Sequence, residues 1–373
     1  MPGGPAHRFP YRWRLANGYP ARGVEPNGLR VFGTFLCAGG STMGYKLAGY
    51  THLGGVEIDP KAAKIYAENH KPAHLFVEDI RAFNARASVP DDLVGIDILD
   101  GSPPCTTFSL SGDRERTWGK EKVFREGQAK QTLDDLGFAF CDTVEKLRPK
   151  AVVMENVKGL ALGNARAYLA VILSRLRGAG YRPQCFLLNA ARMGVPQTRE
   201  RCFVLALRND LAKAAPPIRL SFDEPPIRFG EIRDRADNAQ NLVPECLRIW
   251  RNRRRGDTSF SDVLKRERGK ASRFNALFVC DERVAPTIPS TGAEYCWAVP
   301  RALNQTERLL LATFPLDFNT FGNSVKFYAG MSVPPVMMAQ VALQIKEQWL
   351  QRKESNARRT QDDEDRGTPH RER

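Results

Sequence analysis

Residues 29–59 read LRVFGTFLCAGGSTMGYKLAGYTHLGGVEID. The run LRVFGTFL predicts a strand, and STMGYKLAG after it has the spacing of a helix. GGVEID predicts a second short strand, and Pro60 then opens a further helix, because proline is favoured in the first helical turn. Strands that alternate with helices indicate a mainly parallel sheet, so this stretch places the chain in the α/β class.

The same alternation continues to about residue 208. The remaining predicted strands are HLFVEDI, GIDILDG, AVVMENV, QCFLLNA and RCFVLALR, and the main predicted helices are PKAAKIYAENH, QTLDDLGFAFCDTVEKL and ARAYLAVILSRLRGAG. We therefore expect a Rossmann-like, mainly parallel seven-stranded sheet with helices on both faces, together with a smaller domain.

Shifts in composition predict the domain boundaries. Residues 1–28 are rich in Pro, Gly and Arg and predict a basic extension, loosely ordered or laid across the surface. The main domain is expected at 29–216 and is completed by 318–350, where PPVMMAQVALQIKEQWL has helical spacing. Residues 217–317 contain Pro-rich turns without clear alternation and predict the smaller domain. Residues 351–373 are almost free of apolar side chains and predict a disordered charged tail.

Composition and cysteine usage narrow the class of protein. The chain has 373 residues, 42% of them hydrophobic and 26% charged, which is ordinary for a soluble globular protein. No apolar run approaches the roughly 18 residues that cross a bilayer, and the N-terminus lacks the apolar core of a secretory signal. The eight cysteines form no CxxC pair and the five histidines no HxxxH pair. We expect free thiols, no metal site, no membrane partner and a cytoplasmic location.

The charge balance points to a polyanionic partner. The formal net charge is +14 and the isoelectric point is about 9.6, which favours nucleic acid. From Arg248 to Arg273 the sequence has ten Lys and Arg residues against three Asp and Glu, including the run RNRRR at 251–255. A solvated charged loop is the alternative interpretation of this segment.

The glycine-rich turn CAGGSTMG and two acidic strand ends predict a nucleoside site. Glycines after the first strand let the backbone approach a ligand and leave helix N–H groups free. The second strand ends in Glu57, eighteen residues after Gly39, where a carboxylate can accept both ribose hydroxyls. The third ends in Glu78 and Asp79, and we expect Asp79 to accept an N–H from an adenine amino group. Because the turn is not GxGxxG, S-adenosyl-L-methionine is favoured over NAD.

The ends of the next strands are predicted to place reactive groups at the same edge of the sheet. After the fourth strand comes GSPPCTTFS, in which two prolines restrict the backbone that leads to Cys105. The fifth strand ends in Glu155 and Asn156, and GVPQTRER brings Arg199 and Arg201. Each of these residues has a plainer interpretation. Cys105 could be a buried thiol in a tight turn, Glu155 could cap a helix, and Arg199 and Arg201 could pair with surface acids.

The order of these motifs resembles the cytosine-5 DNA methyltransferases. The elements that carry the resemblance, from about residue 31 to 348, are FLCAGG, VEID, SPPCTTFS, MENV, GVPQTRER, PRALNQTE followed by TFP, and a closing SVPP. The PPC, ENV and QxRxR elements in this order are highly specific. The resemblance implies S-adenosyl-L-methionine as methyl donor, double-stranded DNA as substrate and residues 217–317 as a target-recognition domain.

The resemblance also implies roles for individual residues. Cys105 is the nucleophile that adds to cytosine carbon 6, and Glu155 bonds ring nitrogen 3 and the amino group. Arg201 contacts the carbonyl side of the base, and Arg199 holds the cysteine loop or a phosphate. The base must be flipped out of the duplex, and the loop 109–127 is expected to close over it.

The implied cofactor-binding residues are Phe35, Ala38, Gly39, Gly40, Glu57, Ile58, Asp79, Ile80, Pro103, Ser332 and Val333. The DNA-binding residues expected are Ser109, Arg251, Arg253, Arg254 and Arg255.

Several positions depart from the family pattern. Cys37 replaces the first glycine of FxGxGG, Thr106 follows the cysteine in place of glutamine, and Asn304 replaces a threonine. GNSV at 322–325 resembles the family's closing motif but lacks the proline pair. We therefore take GMSVPP as the closing motif, with Met331 in place of asparagine.

Two other functions remain open at this point. A tRNA cytosine-5 methyltransferase could use the same core, although a basic segment of about a hundred residues favours DNA. A DNA-binding relative with an impaired catalytic core is disfavoured, because the Cys, Glu and Arg positions are all filled. We expect a monomer, and the sequence is silent on a companion restriction endonuclease and on the DNA target.

Overall fold

The computed structural model describes residues 7–19, 24–104, 135–163, 165–235, 242–269 and 276–351. The strands are β1 (Arg30–Thr34), β2 (Thr51–Val56), β3 (His74–Phe76), β4 (Ile98–Gly101), β5 (Ala151–Val157), β6 (Tyr181–Asn189), β7 (Gln197–Thr198), β8 (Glu200–Arg208), β9 (Ala276–Val279), β10 (Ala285–Pro286) and β11 (Ala293–Cys296). The helices are α1 (Gly40–Leu47), α2 (Pro60–His70), α3 (Ile80–Ala85), α4 (Leu136–Leu147), α5 (Ala165–Gly178), α6 (Asn209–Ala212), α7 (Phe229–Ile232), α8 (Pro244–Arg251), α9 (Phe260–Arg268), α10 (Gln305–Leu311), α11 (Val325–Met331) and α12 (Pro335–Ile345).

Seven strands form one sheet in the order β3-β2-β1-β4-β5-β8-β6. β8 runs antiparallel to both β5 and β6, and the other neighbouring pairs are parallel. The predicted α/β fold with a mainly parallel seven-stranded sheet is thus confirmed. Its topology brings the carboxyl ends of β1, β2, β4 and β5 to one edge, where open α/β sheets bind ligands.

Both faces of the central strands β4, β5 and β8 are buried, which explains why these strands are mainly apolar. In β8, Phe203 and Leu205 pack with α1 and α12 on one face. Their neighbours Val204 and Ala206 pack with α4 and α5 on the other face. The alternation of side chains along a strand places consecutive apolar residues in two separate cores.

Within the described residues of the main sheet and its helices, the predicted elements agree with the structure except at some ends; residues 131–134 of the predicted helix QTLDDLGFAFCDTVEKL lie outside them. The helix predicted at PKAAKIYAENH is α2, and the Asp59 side chain caps it by accepting the Lys61 N–H. The third strand is shorter than predicted and ends at Phe76, because Asp79 caps α3 by accepting the Arg81 N–H. The acidic pair at 78–79 therefore lies in the connection between β3 and α3, and not on the strand itself.

Residues 217–317 contain more regular structure than the sequence predicted. Helices α8 and α9 pack with β9 and β11, which pair in parallel, around a cluster that contains Phe260, Phe278 and Tyr295. A second cluster includes Phe229 and Leu310. The two-residue strand β10 pairs in parallel with β7, which directly precedes β8 in the chain, and the two form a separate small sheet. The domain boundaries stay a prediction.

The described part of the N-terminal extension lies against the main core. Phe9 and Trp13 are buried in the cluster that also holds α1 and α12. The Trp13 indole N–H donates to the Thr313 carbonyl at 2.9 Å, and Asp317 accepts the backbone N–H groups of Leu15 and Ala16. Across the described ranges, no helix has both the length and the apolar character needed to cross a membrane.

Candidate cofactor pocket and catalytic rim

A pocket opens at the carboxyl ends of the first three strands. Of the residues predicted to bind a cofactor, those that line it are Phe35, Gly40, Glu57, Ile58, Asp79, Ile80, Ser332 and Val333. They come from the connections after β1, β2 and β3 and from the segment before α12. Tertiary structure therefore gathers, at one place, residues that lie almost three hundred positions apart in sequence.

Glu57 is held rigidly in the pocket wall by two backbone donors. Its Oε2 accepts the Cys37 N–H at 2.7 Å, and its Oε1 accepts the Asp59 N–H at 2.8 Å. Burial raises the pKa of Glu57, and these two N–H donors partly offset that effect. Because each carboxylate oxygen has a further lone pair, the group keeps acceptor capacity for a ligand hydroxyl.

The glycine-rich turn is shaped by close approach of other parts of the chain. Gly39 has φ +82°, and a Cβ at this position would lie 2.2 Å from the His70 Nε2 atom. A Cβ on Gly40 would lie 2.2 Å from the Val333 carbonyl oxygen. Cys37, which replaces a family glycine, also adopts the left-handed region, with φ 49°. Only glycine fits at 39 and 40 without moving the backbone.

Three residues predicted to bind the cofactor do not line the pocket. Ala38 is fully buried, and its carbonyl bonds the His70 ring at 3.0 Å. Gly39 turns the chain behind the wall. Pro103 is buried, and its carbonyl accepts the Asn156 side-chain amide at 3.0 Å, while its neighbours Ser102 and Pro104 form the wall. All three residues are buried, and their contact with a cofactor stays a prediction.

Asp79 lines the pocket but already has partners in the protein. Its carboxylate caps α3 and forms an ion pair with Arg81 at 3.0 Å. The neighbouring Glu78 also lines the pocket and pairs with Arg86. The predicted contact of Asp79 with an adenine amino group stays a prediction.

The pocket residues fit an adenosine group with a polar extension. Phe35, Ile58 and Ile80 offer apolar surface for a ring, and Glu57 offers acceptors for ribose hydroxyls. The buried Ser332 hydroxyl also lines the pocket and has no hydrogen-bond partner among the described residues. A buried polar atom of this kind is commonly satisfied by a ligand.

Glu155 and Arg201 form a buried ion pair beyond the pocket. Glu155 Oε1 lies 3.0 Å from Arg201 Nε, and the two residues lie on the paired strands β5 and β8. Burial lowers the pKa of Arg201, and the Glu155 charge opposes that shift. Asn156, next to Glu155, holds the Pro103 carbonyl, so the end of β5 is tied to the segment that leads to Cys105. Cys105 and Ser109 themselves lie outside the described residues.

Arg199 is bonded to the segment that precedes α12. Its Nη2 donates to the carbonyl oxygens of Gly330 and Ser332 at 2.9 and 3.1 Å, and the residue is 2% exposed. Burial lowers the pKa of Arg199, and the nearby Arg201 charge lowers it further. The structure thus places Arg199 on the segment that closes the pocket. The cysteine loop lies outside the described residues, so a role of Arg199 on that loop or on a phosphate stays a prediction.

The closing segment is the one with the proline pair. Met331, Ser332 and Val333 line the pocket, whereas the GNSV stretch at 322–325 leads into α11 and does not reach the pocket. Phe327 from α11 is a further lining residue that the sequence interpretation missed. No local signal marks it, because its position depends on how α11 packs.

The basic segment presents two kinds of arginine. The Arg253 guanidinium lies 3.4 Å from the Trp250 ring centroid and 4.9 Å from that of Trp297, so it is stacked between two indoles. Its Nη1 also donates to the Trp250 carbonyl at 2.8 Å. Arg251, Arg254 and Arg255 are exposed, and their side chains form no ion pair with any described residue.

Other basic residues of this segment are neutralised by acids. Arg248 pairs with Glu245 and Glu267. Arg266 pairs with Asp257, and Arg268 pairs with Glu245. The described ranges contain no group of three or more His, Cys, Asp or Glu side chains arranged to hold a metal ion.

Comparison with known proteins assigns the family. The model of the C-5 cytosine-specific DNA methylases matches residues 29–347. The chain therefore belongs to the C-5 cytosine-specific DNA methylase family, as the motif order predicted.

Individual relatives agree with this assignment. The type II methyltransferase M.DdeI of Desulfomicrobium norvegicum is 31% identical over 188 residues, which are 49% of this chain and 41% of that protein. M1.HphI of Haemophilus parahaemolyticus is 26% identical over 336 residues, 83% of this chain and 84% of that protein. The chain thus spans about two fifths of the length of the curated relative M.DdeI.

Solved structures share the fold. One, from E. coli, is described as a DNA modification methyltransferase encoded within a prophage, with a TM-score of 0.61 and 17% identity over 86% of this chain and 99% of that one. Another is a mutant of Spodoptera frugiperda DNMT2, with a TM-score of 0.60 and 17% identity over 86% of this chain and all of that one. At 17% sequence identity, these similarities show only that the fold is shared.

Proposed function

We propose that this protein is a DNA cytosine-5 methyltransferase that uses S-adenosyl-L-methionine. The observation that carries the proposal is the buried Glu155–Arg201 pair at the ends of β5 and β8. It lies beside the segment that leads to Cys105 and next to a pocket that fits an adenosine group. Family membership and the presence of Cys, Glu and Arg at the motif positions support the same activity.

The residues of this chain have distinct tasks in the proposed reaction. The Cys105 thiolate adds to cytosine carbon 6, and the electrons move toward carbon 5 and ring nitrogen 3. Glu155 shares a proton with nitrogen 3 and accepts a hydrogen bond from the amino group. Arg201 keeps Glu155 in place, and its guanidinium faces the carbonyl side of the base. S-adenosyl-L-methionine supplies an electrophilic methyl group to carbon 5. A base then takes the proton from carbon 5, the double bond between carbons 5 and 6 re-forms, and the bond to sulfur breaks to release Cys105 as thiolate.

The substrate proposed is duplex DNA from which the cytosine is flipped out. Exposed arginines at 251, 254 and 255 would contact phosphates, and other side chains of residues 217–317 would read base edges. We also propose that the protein acts as a monomer in the cytoplasm. A companion restriction endonuclease is a further proposal, supported by the type II methyltransferases among its relatives.

A tRNA substrate is the second candidate. The fold does not separate the two substrates, since the prophage DNA modification methyltransferase and DNMT2 match it almost equally, with TM-scores of 0.61 and 0.60. Net charge does not separate them either, because both substrates are polyanions.

Transfer of tritiated methyl groups by the purified protein tests the proposal. We expect label in duplex DNA and none in tRNA. We also expect the rate of methyl transfer by Cys105→Ser to be more than tenfold lower than that of the wild type, because an alcohol is far less ionised than a thiol. Label in tRNA alone would show that tRNA, and not DNA, is the substrate. If Cys105→Ser keeps a tenth of the wild-type rate or more, Cys105 is not the nucleophile. Sequencing of host DNA for 5-methylcytosine, with and without the gene, would reveal the target.

A further inference from the structure

Asp100 is a buried carboxyl that the proposed reaction does not use. It lies on β4, between Gly33 of β1 and Val153 of β5, and is 4% exposed. The Tyr45 hydroxyl donates to its Oδ1 at 3.2 Å. The Ser41 side chain interacts with the same carboxyl and also lines the cofactor pocket. Ser41 therefore lies against both Asp100 and the pocket.

No cation neutralises this carboxyl in the part of the chain that the structure describes. The titratable groups that face it are Tyr45 from α1, Tyr66 from α2 and Glu155 from β5, and Glu155 is itself paired with Arg201. Burial, together with the Glu155 charge, raises the pKa of Asp100 to about 7, although its Tyr45 and Ser41 partners oppose the shift. Burying a carboxyl without a counter-charge is costly, so a ligand that brings the missing positive charge would be favoured.

We propose that Asp100 is a specificity-determining residue that makes the pocket prefer the positively charged methyl donor over its neutral product. The inference rests on the proposed function, in which S-adenosyl-L-methionine is the cofactor. The donor carries a sulfonium, and loss of its methyl group leaves a thioether, so S-adenosylhomocysteine has one positive charge fewer. Because the adenosine and amino acid parts of the two ligands are identical, only a charge-sensitive group can distinguish them strongly.

The inference has a definite pH dependence. A nearby cation favours the ionised form of Asp100, so binding of the donor should lower the pKa of Asp100 and release a proton at neutral pH. Affinity for S-adenosyl-L-methionine should therefore rise as the pH increases through about 7. Affinity for S-adenosylhomocysteine should change little over the same range, which makes the product an internal control for the other carboxylates of the pocket.

Calorimetry with both ligands at pH 6 and pH 8 tests this inference. In the wild-type protein we expect the preference for the donor over the product to increase with pH. Asp100→Asn should reduce that preference by about tenfold at pH 8 and remove its pH dependence, because the charge is removed while the shape is kept. Tyr45→Phe should shift the pH dependence to higher pH, because it removes a donor that favours the ionised form.

Asp79→Asn is the matched control. It removes a negative charge from the connection after β3, three strands away from β4 in the sheet, and it should alter the affinities for donor and product by the same factor. An Asp100→Asn variant that binds both ligands with an unchanged ratio would overturn the inference and leave the proposed function standing. A wild-type protein that binds neither ligand would instead overturn the choice of cofactor.

Discussion

At the scale of single residues, Glu57 shows how a carboxylate is prepared for a ligand. The backbone N–H groups of Cys37 and Asp59 fix its orientation before any ligand arrives. These contacts join the turn after β1 to the turn after β2. Loss of the carboxylate would therefore remove both the proposed ligand contact and the hydrogen bond from Cys37 that links the two turns.

Glu57→Ala should weaken binding of S-adenosyl-L-methionine by more than tenfold and leave DNA binding nearly unchanged. The variant would lack one or two charge-assisted hydrogen bonds to the ribose, each of about 1.5–3 kcal/mol. Calorimetry measures the affinity. Glu78→Ala is the control, because Glu78 lines the same pocket but pairs with Arg86, and it should change the affinity little. Equal effects of the two variants would count against a ribose contact at Glu57.

At the scale of elements, α8 and the turn after it divide the arginine run into two classes. Arg253 is stacked between Trp250 and Trp297 and belongs to the packing of this segment. Arg254 and Arg255 are exposed side by side in the following turn. The sequence interpretation treated the run as one phosphate-binding unit, and the stacking of Arg253 separates it from its neighbours.

Replacing Arg254 and Arg255 together with Ala should weaken binding to DNA of every sequence. The slope of log affinity against log salt should decrease by about one unit for each DNA phosphate that the variant no longer neutralises. The double lysine variant is the control and should keep the slope, because it keeps both charges. If the alanine variant retains the wild-type slope, the arginines form only a solvated charged loop.

Arg253→Ala should act mainly on stability. It removes a guanidinium stacked on two indoles, an interaction of about 0.5–2 kcal/mol, and it leaves a gap between Trp250 and Trp297. Chemical denaturation followed by tryptophan fluorescence would detect a lower midpoint. A normal midpoint combined with a reduced salt slope would show that Arg253 contacts phosphate after all.

At the scale of the whole molecule, the N-terminal segment connects to the region that precedes the last helix. Trp13 is 4% exposed, and its indole binds the Thr313 carbonyl. Thr313 in turn accepts the Val336 N–H at the start of α12. The segment 7–19 thus stabilises the part of the chain that closes the pocket.

Trp13→Ala should destabilise the fold by about 3–5 kcal/mol, because it empties a large buried site and leaves the Thr313 carbonyl without its donor. Urea denaturation measures the change in unfolding free energy. Arg14→Ala, at an exposed neighbouring position, should leave the unfolding curve unchanged. An unfolding free energy within about 1 kcal/mol of wild type for Trp13→Ala would show that the extension adds little to the fold.

The sequence by itself determined the class of fold and the strands whose ends carry Glu57 and Glu155. Apolar strands that alternate with amphipathic helices specify the layers, and residues at strand ends must meet at one edge. These features depend on local periodicity and on short motifs, which are visible in a single chain.

Tertiary structure alone decided which partner each polar side chain has. Arg199 and Arg201 are equivalent in the motif, yet one binds the carbonyls of Gly330 and Ser332 and the other binds Glu155. In the sequence, nothing distinguishes Asp100 from an ordinary strand residue. Only the packing of α1 brings the Tyr45 hydroxyl within hydrogen-bond distance of its carboxyl group. Hydrogen bonds and ion pairs act over a few ångströms, so they depend on contacts between residues that are distant in sequence, and no local pattern specifies them.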